Sequence, residues 1–428
     1  MLLEFRVSNF RSIRDEQTLS LVASKSDKSH KDTHLVATGM ASAPHALASA
    51  VLYGPNASGK STLLAALQYM YKVVEESATK VQPSQQYNVQ RFKLDPEKLT
   101  QPVQFDLVFM LAGVRYEYGF SMLPERVVNE TLVVYQTAKP KLLFSRQLAQ
   151  AEPGEKQDTA APAYTYTFGS SLKGAKQLWQ AATRPNALFL STAVQLNSEM
   201  LAPIFNWIVT AFVYLPAGGL VDHNYTTQLL QSDEGRRHVQ QFLSGADIAI
   251  ADIQTVSHKG FHDEVVFDLQ GPAQVRRTEA ELLLPIFEHV GPKGSAKFEL
   301  HEESEGTRRL YGLAAPVLDV LKSGRILVVD ELDSSLHTLL VRHLVGMFHN
   351  PAINKLGAQL IFTTHDTALL DTGLFRRDQV WLIEKDASQA SVLYPLTDFS
   401  PRAHEALERN YLAGRYGAVP VFPQQQAS

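Results

Sequence analysis

The stretch AVLYGPNASGKSTLL, residues 50–64, is an apolar run that halts at a glycine-rich loop and resumes as a helix. Residues 50–53 predict a buried strand and residues 62–74 an amphipathic helix. Between them, residues 54–61 fit the phosphate-loop pattern of glycine, four residues, then glycine, lysine and serine or threonine. Such glycines let successive backbone N–H groups turn inward on phosphates, while the following helix directs its positive end at them. In this pattern Lys60 reaches the β- and γ-phosphates and the Ser61 hydroxyl holds magnesium. The spacing therefore points to an α/β fold that binds a nucleotide.

Composition sets the frame around that loop. The chain has 428 residues, of which 45% are hydrophobic and 20% charged, enough for a sizeable globular core in two or three lobes. Lys and Arg total 40 against 44 Asp and Glu, a net charge of -4, which argues against a surface coated for nucleic acid. No apolar run reaches bilayer length, and the charges in MLLEFRVSNFRS fall where a signal peptide is apolar, so a cytoplasmic protein is expected. There is no cysteine, which removes disulfides, thiol catalysis, iron–sulfur clusters and cysteine zinc sites together. Any metal must be held by oxygen or by the 14 histidines.

In chain order, residues 2–10 alternate as a strand, NFRSIRD turns, and a second strand is expected at 17–22. Arg11 in that turn lies one hairpin before the phosphate loop, placed to add a charge-assisted contact to the nucleotide. Residues 23–44 read as an exposed loop. Beyond the loop's helix, strands are expected at 103–110, 114–122 and 130–136. Composition then shifts: residues 149–162, rich in Ala, Pro, Gly and charge, predict a mobile surface loop within an inserted module. That module continues with helices at 172–182, 199–212 and 235–243, an apolar core segment at 188–197, and a strand at 264–269. No charged helical segment sustains an apolar 3.5 period, so no long coiled coil is expected.

The second half of the site follows. Residues 297–301 alternate as a strand and run into EESEGTRRLYGLAAPVLDVL, a helix whose expected cap is Ser304, with Gly306 and Thr307 in its first turn. Such an end offers free N–H groups and a hydroxyl to an anion. ILVVDELDSSLH, residues 326–337, is a buried strand ending in two acids, the Walker B arrangement. Asp330 there can hold the magnesium that Ser61 also binds, and Glu331 can act as general base on the attacking water. The strand at 359–363 delivers His365 to its C-terminal end, where ligands of open α/β sheets collect and where it can contact a γ-phosphate.

In this order NFRS, GPNASGKST, ESEGT, DELDSSLH and TTHD resemble the ABC-type ATPase heads of the structural-maintenance-of-chromosomes, DNA-repair and RecF group. More closely, with TRPNALFLS at 183–191 and YLAGRYGAVPVF at 411–422, the chain resembles the ATP-binding proteins of bacterial abortive-infection, anti-phage loci. The resemblance implies a P-loop NTPase of ABC-ATPase type, a two-lobed head. Its lobes would be residues 1–135, with Walker A, and 291–428, with signature, Walker B, D-loop and switch histidine, around a mixed helical and strand insertion at 136–290. It implies that Arg11 touches ATP and that Gly54, Pro55, Asn56, Ala57, Ser58, Gly59, Lys60, Ser61 and Thr62 wrap it. Ser304 and Gly306 would reach the γ-phosphate of a facing subunit, Ser335 would belong to the D-loop, and His365 would sense the γ-phosphate.

The implied active unit is a homodimer of heads around two ATP and Mg2+, open to higher assembly. It would hydrolyse ATP and act as sensor or regulator of a separate effector, a TOPRIM-type nuclease being the expectation. A repair or recombination ATPase that clamps DNA is the alternative. The zinc hook of repair relatives is missing, and no Asp-x-Asp pair follows His365 as a TOPRIM domain within the chain would need. Gln90 and Gln104 are the two candidates for the Q-loop glutamine, and Glu384 in IEK resembles a fragment of a nuclease motif.

Overall fold

The computed structural model describes residues 1–137, 139–149, 163–217, 222–246, 248, 250–266, 274–370, 373–401 and 405–420. β1 (Leu2–Ser8) and β2 (Gln17–Ser20) form the hairpin around NFRSIRD. The stretch read as an exposed loop holds β3 (Leu35–Ala37), which pairs with β4 (His45–Leu47). β5 (Ser49–Tyr53) follows, buried at all five positions as a strand covered on both faces must be. It leads through the phosphate loop into α1 (Lys60–Glu76), whose Leu63, Leu67, Met70 and Val74 recur at helical spacing against the core.

β6 (Val103–Leu111), β7 (Val114–Leu123) and β8 (Arg126–Tyr135) are the three expected strands, and β9 (Lys141–Leu148) and β10 (Tyr164–Phe168) extend them. With β1 and β2 they make an antiparallel sheet of order β10-β9-β8-β7-β6-β1-β2. The mobile loop expected at 149–162 falls almost wholly outside the described residues. α2 (Lys176–Ala182), α3 (Phe189–Gln195) and α4 (Ala202–Thr210) come next. The helix expected at 199–212 ends early, because β11 (Phe212–Leu215), FVYL, turns extended and pairs in parallel with the Walker B strand. The stretch 136–290 thus gives strands to both of these sheets and, further on, to a separate three-stranded one.

α5 (His223–Leu229) and α6 (Asp233–Gly245) precede a long hairpin of β12 (Asp252–Val266) and β13 (Gln274–Gly291), to which β14 (Gly294–Glu299) adds. The strand expected at 264–269 therefore begins much earlier, at Asp252, and residues 267–269 lie outside the described residues. α7 (Glu305–Ser323), β15 (Ile326–Val329), α8 (Thr338–His349), β16 (Gln359–Thr363), β17 (Val380–Lys385), β18 (Ser391–Pro395) and α9 (Leu407–Leu412) complete the chain. Six strands form the second sheet, order β11-β15-β16-β5-β17-β18, parallel except for β18. Among the described residues the longest helix is α7 at 19 residues, so there is no coiled-coil arm, and no helix is long and apolar enough to cross a membrane.

Buried polar groups fasten these layers. Gln359 accepts from Leu2 N at 2.7 Å and donates to the carbonyls of Leu2 and Leu47, tying β1 to the parallel sheet. TRPNALFLS is a clasp: Arg184 donates to the Ser77 and Ala78 carbonyls just past the end of α1, while Glu130 of β8 accepts Phe189 N and Leu190 N at the start of α3. Burial pushes the Glu130 carboxyl up, against the pull of Arg146 and these donors. In α7, next to Pro316, the Thr226 hydroxyl donates to Tyr311 O and accepts from Ala315 N, entering the helix ladder from α5.

Candidate functional site

The strand order β15-β16-β5 brings three loops to one C-terminal sheet edge. β5 delivers the phosphate loop, β15 delivers Asp330 and Glu331, and β16 delivers Thr364 and His365 between them. This is the crevice where doubly wound sheets bind ligands.

The loop's shape rests on its glycines and on contacts far away in sequence. A Cβ on Gly54 would collide with the Ile383 carbonyl of β17. Gly59 caps α1 with φ 115°, and a Cβ there would strike the Ser391 hydroxyl. Ser391 Oγ donates to Ser58 O at 2.6 Å and lies 2.8 Å from Ser12 Oγ, which is itself 3.2 Å from Thr62 Oγ1. Lys60 Nζ folds back on the carbonyls of Gly54 at 2.7 Å and Pro55 at 3.1 Å. Burial pushes its ammonium down, while Asp330, Glu331 and Asp333 pull it up. The Ser58 hydroxyl is buried with no partner, and Ser61 is exposed at the first turn. A cradle of inward donors with a borrowed acceptor for its lysine fits a polyphosphate.

At the end of β15, Asp330 is 2% exposed and its Oδ1 accepts from Thr363 Oγ1 at 2.6 Å. The same hydroxyl oxygen accepts Glu331 N at 2.7 Å. Glu331 has φ 54°, a left-handed value at a residue whose N–H this network holds, and Ser335 has φ 59°. Asp333 accepts His365 N at 3.2 Å through one oxygen, and its other oxygen is buried without a partner. Every donor to a cation here is oxygen, the preference of magnesium. His365 itself is exposed, and Tyr53 OH donates to Asp366 O at 3.1 Å, linking the phosphate-loop strand to the histidine loop.

Ser304 caps α7 as expected, accepting Thr307 N at 3.1 Å. Glu305 accepts from Ser335 Oγ at 2.5 Å, and a Cβ on Gly306 would lie 3.2 Å from Ser335 O. Ser304, Gly306 and Ser335 therefore form a second cluster, and none of the described hydrogen bonds joins it to the phosphate loop. Arg11 is exposed with its guanidinium 5.3 Å from the Phe10 ring, and it is its neighbour Ser12 that touches the loop's helix. Arg11 N donates to Gln90 O at 2.8 Å, whereas Gln104 sits on β6 and donates to Asp106. Glu384 is occupied structurally, accepting Ala418 N at 2.7 Å, so the nuclease-like triplet anchors the C-terminal clasp.

Sequence reasoning passed over Ser391, Thr363, Asp333 and Tyr53. Tyr53, Asp333 and Thr363 stood inside quoted stretches and Ser391 did not; for Asp333 and Thr363 a small polar side chain beside an acid is the available signal.

No curated protein matches the chain. Two solved structures resemble it at 9% identity: a SmcHead bound to the C-winged helix domain of ScpA, with 92% of this chain and 97% of that one covered and a TM-score of 0.40. The other is an Smc head domain with an extended coiled coil bound to the C-terminal domain of ScpA from Pyrococcus furiosus, with 92% and 96% covered and a TM-score of 0.38. The family described as "AAA domain, putative AbiEii toxin, Type IV TA system" matches residues 49–371, from the first residue of the phosphate-loop strand to beyond the histidine loop. A match over most of the chain, taking in the crevice that β5, β15 and β16 build, makes this protein a member of that AAA ATPase family.

Proposed function

We propose that the chain is a magnesium-dependent ABC-type ATPase that dimerises head to head around two ATP molecules and regulates a separate effector in bacterial anti-phage defence. The observation that carries the ATPase reading is the Thr363 hydroxyl, which fixes Asp330 and the Glu331 backbone one strand away from the phosphate loop. Residues Gly54 to Thr62 would wrap the phosphates, and Lys60 would exchange the Gly54 and Pro55 carbonyls for β- and γ-oxygens. Ser61 and Asp330 would hold magnesium, which supplies charge neutralisation at the phosphates. Glu331 would take the proton of the attacking water, His365 would contact the γ-phosphate, and Arg11 would approach the nucleotide from the β1–β2 turn.

Ser304, Gly306 and Ser335 bond among their own neighbours, with no described hydrogen bond to their own phosphate loop, which is compatible with a facing subunit as the owner of the nucleotide they read. A capped helix of this length with glycine in its first turn suits that γ-phosphate. The effector contacts are assigned to the stretch 136–290, because the heads would be occupied with each other.

Light scattering on Glu331→Gln protein with and without Mg-ATP tests the reading, repeated with duplex DNA and with the product of the neighbouring gene. ATP-dependent dimers that capture the neighbour are expected. A variant that binds Mg-ATP yet stays monomeric would refute the head-to-head dimer, and capture of DNA in place of the neighbour would replace regulation with a DNA clamp.

A further inference from the structure

Arg309 lies in the second turn of α7 and is only 9% exposed. Its Nε and Nη2 are buried with no hydrogen-bond partner, and no described ion pair includes it. A buried cation left unpaired is costly, so a position that keeps one has a use for it.

Helical spacing gives its direction. Glu305 and Arg309 are four residues apart and share one face of α7. On that face Glu305 accepts from Ser335, and the adjacent Gly306 lets α7 approach the Ser335 carbonyl. The face therefore looks onto the turn from Glu331 to Ser335. Glu331 is the acid whose charge acts on the Arg309 guanidinium, which burial otherwise disfavours.

We propose that Arg309 is a positioning residue for Glu331, the buried cation that ties the orientation of that carboxylate to the start of the signature helix. The inference rests on the reading of Glu331 as general base. The pair is open in the single chain and closes when the first turn of α7 takes up a phosphate, so that the base is aligned only in an engaged site. Arg309 reaches substrate only through Glu331, and a guanidinium suits the task because its planar fork can hold both carboxylate oxygens.

The test compares full-length wild type with Arg309→Met, Arg309→Lys, Glu331→Gln and the Arg309→Met/Glu331→Gln double variant. Single-turnover ATP hydrolysis, Mg-ATP affinity and thermal melting are measured for each. Arg309→Met is expected to lower the hydrolysis rate by about 10–100-fold, the scale of a misplaced reacting group, with nucleotide affinity kept. Arg309→Lys should retain more activity than Arg309→Met. The double variant should be no slower than Glu331→Gln alone, because the two residues act as one unit. Arg309→Met should melt at or above the wild-type temperature, since it removes an unpaired buried charge.

Wild-type rates in Arg309→Met, or losses that multiply in the double variant, overturn the proposal while leaving the base assignment standing. Reduced melting temperature together with lost nucleotide affinity overturns it in favour of a packing role. If Glu331→Gln itself hydrolyses ATP at the wild-type rate, the base assignment fails and the positioning role falls with it.

Discussion

Thr363 shows how much one buried hydroxyl can organise. It donates to Asp330 Oδ1 at 2.6 Å and accepts Glu331 N at 2.7 Å, so one side chain sets both acids. Thr363→Val keeps the shape and leaves both groups unmatched, for a stability loss of about 1–3 kcal/mol. Thermal melting should show that loss, and ATP hydrolysis should fall while the sheet is retained. An unaltered melting point and rate would mean that water replaces the hydroxyl without cost. Single residues of this kind divide by how far their partners lie. Lys60, Asp330, Glu331 and Ser304 could be singled out in the sequence because each stands in a pattern made by neighbours within a few positions. Ser391 was not, because a serine on an edge strand reveals nothing until folding sets it on Gly59 and Ser58. The adjacent pair Arg308 and Arg309 is alike in sequence, yet only Arg309 is buried, a difference of one helical step.

Elements were read well where pattern and packing agree. β5, α1, β15 and β16 are buried strands or amphipathic helices by pattern and in fact. α7 was legible as one helix despite Pro316, and the Thr226 hydroxyl from α5 bridges Tyr311 O and Ala315 N on the rung beside it. β11 was missed because FVYL continues an apolar helical run, and only its parallel partner Ile326–Val329 makes it a strand.

The join between the N-terminal loop and α8 also depends on an unforeseen contact. The His34 ring stacks on His349 with centroids 3.7 Å apart, and His30 stacks on His34 at 4.4 Å. Burial holds His34 down to about 4 and His349 well below its ordinary value, with His30 pressing on both and Arg376 on His34 in the same direction. The folded form therefore keeps the His34 and His349 rings neutral, whereas in the unfolded chain those two take up protons near pH ~6.5. Their contribution is complete above that pH and is lost as pH falls toward 4. Melting temperature should be flat from pH 8 to 7 and decline below about 6.5, with His34→Phe reducing the decline. A melting point constant down to pH 5 would contradict this account.

Over the whole molecule, two sheets with different logic share one chain. The antiparallel sheet is assembled mostly from strands adjacent in sequence, β6 through β10, while the parallel sheet collects strands from residues 49 to 395. A ribosome therefore releases β5, ending at residue 53, long before its neighbours, which begin at 359 and 380. At about 5–20 residues per second, this strand, buried at every position in the finished fold, waits for tens of seconds with no sheet to join. Gln359, which seats Leu2 from 357 residues away, closes the same gap. A chain stopped at residue 358 should accumulate in the insoluble fraction or on chaperones to a much greater extent than the full chain. If the shortened chain is soluble and monomeric, the early strand has found shelter in the antiparallel lobe. Otherwise the cell must escort the phosphate-loop strand until the ribosome has reached the last sixth of the protein.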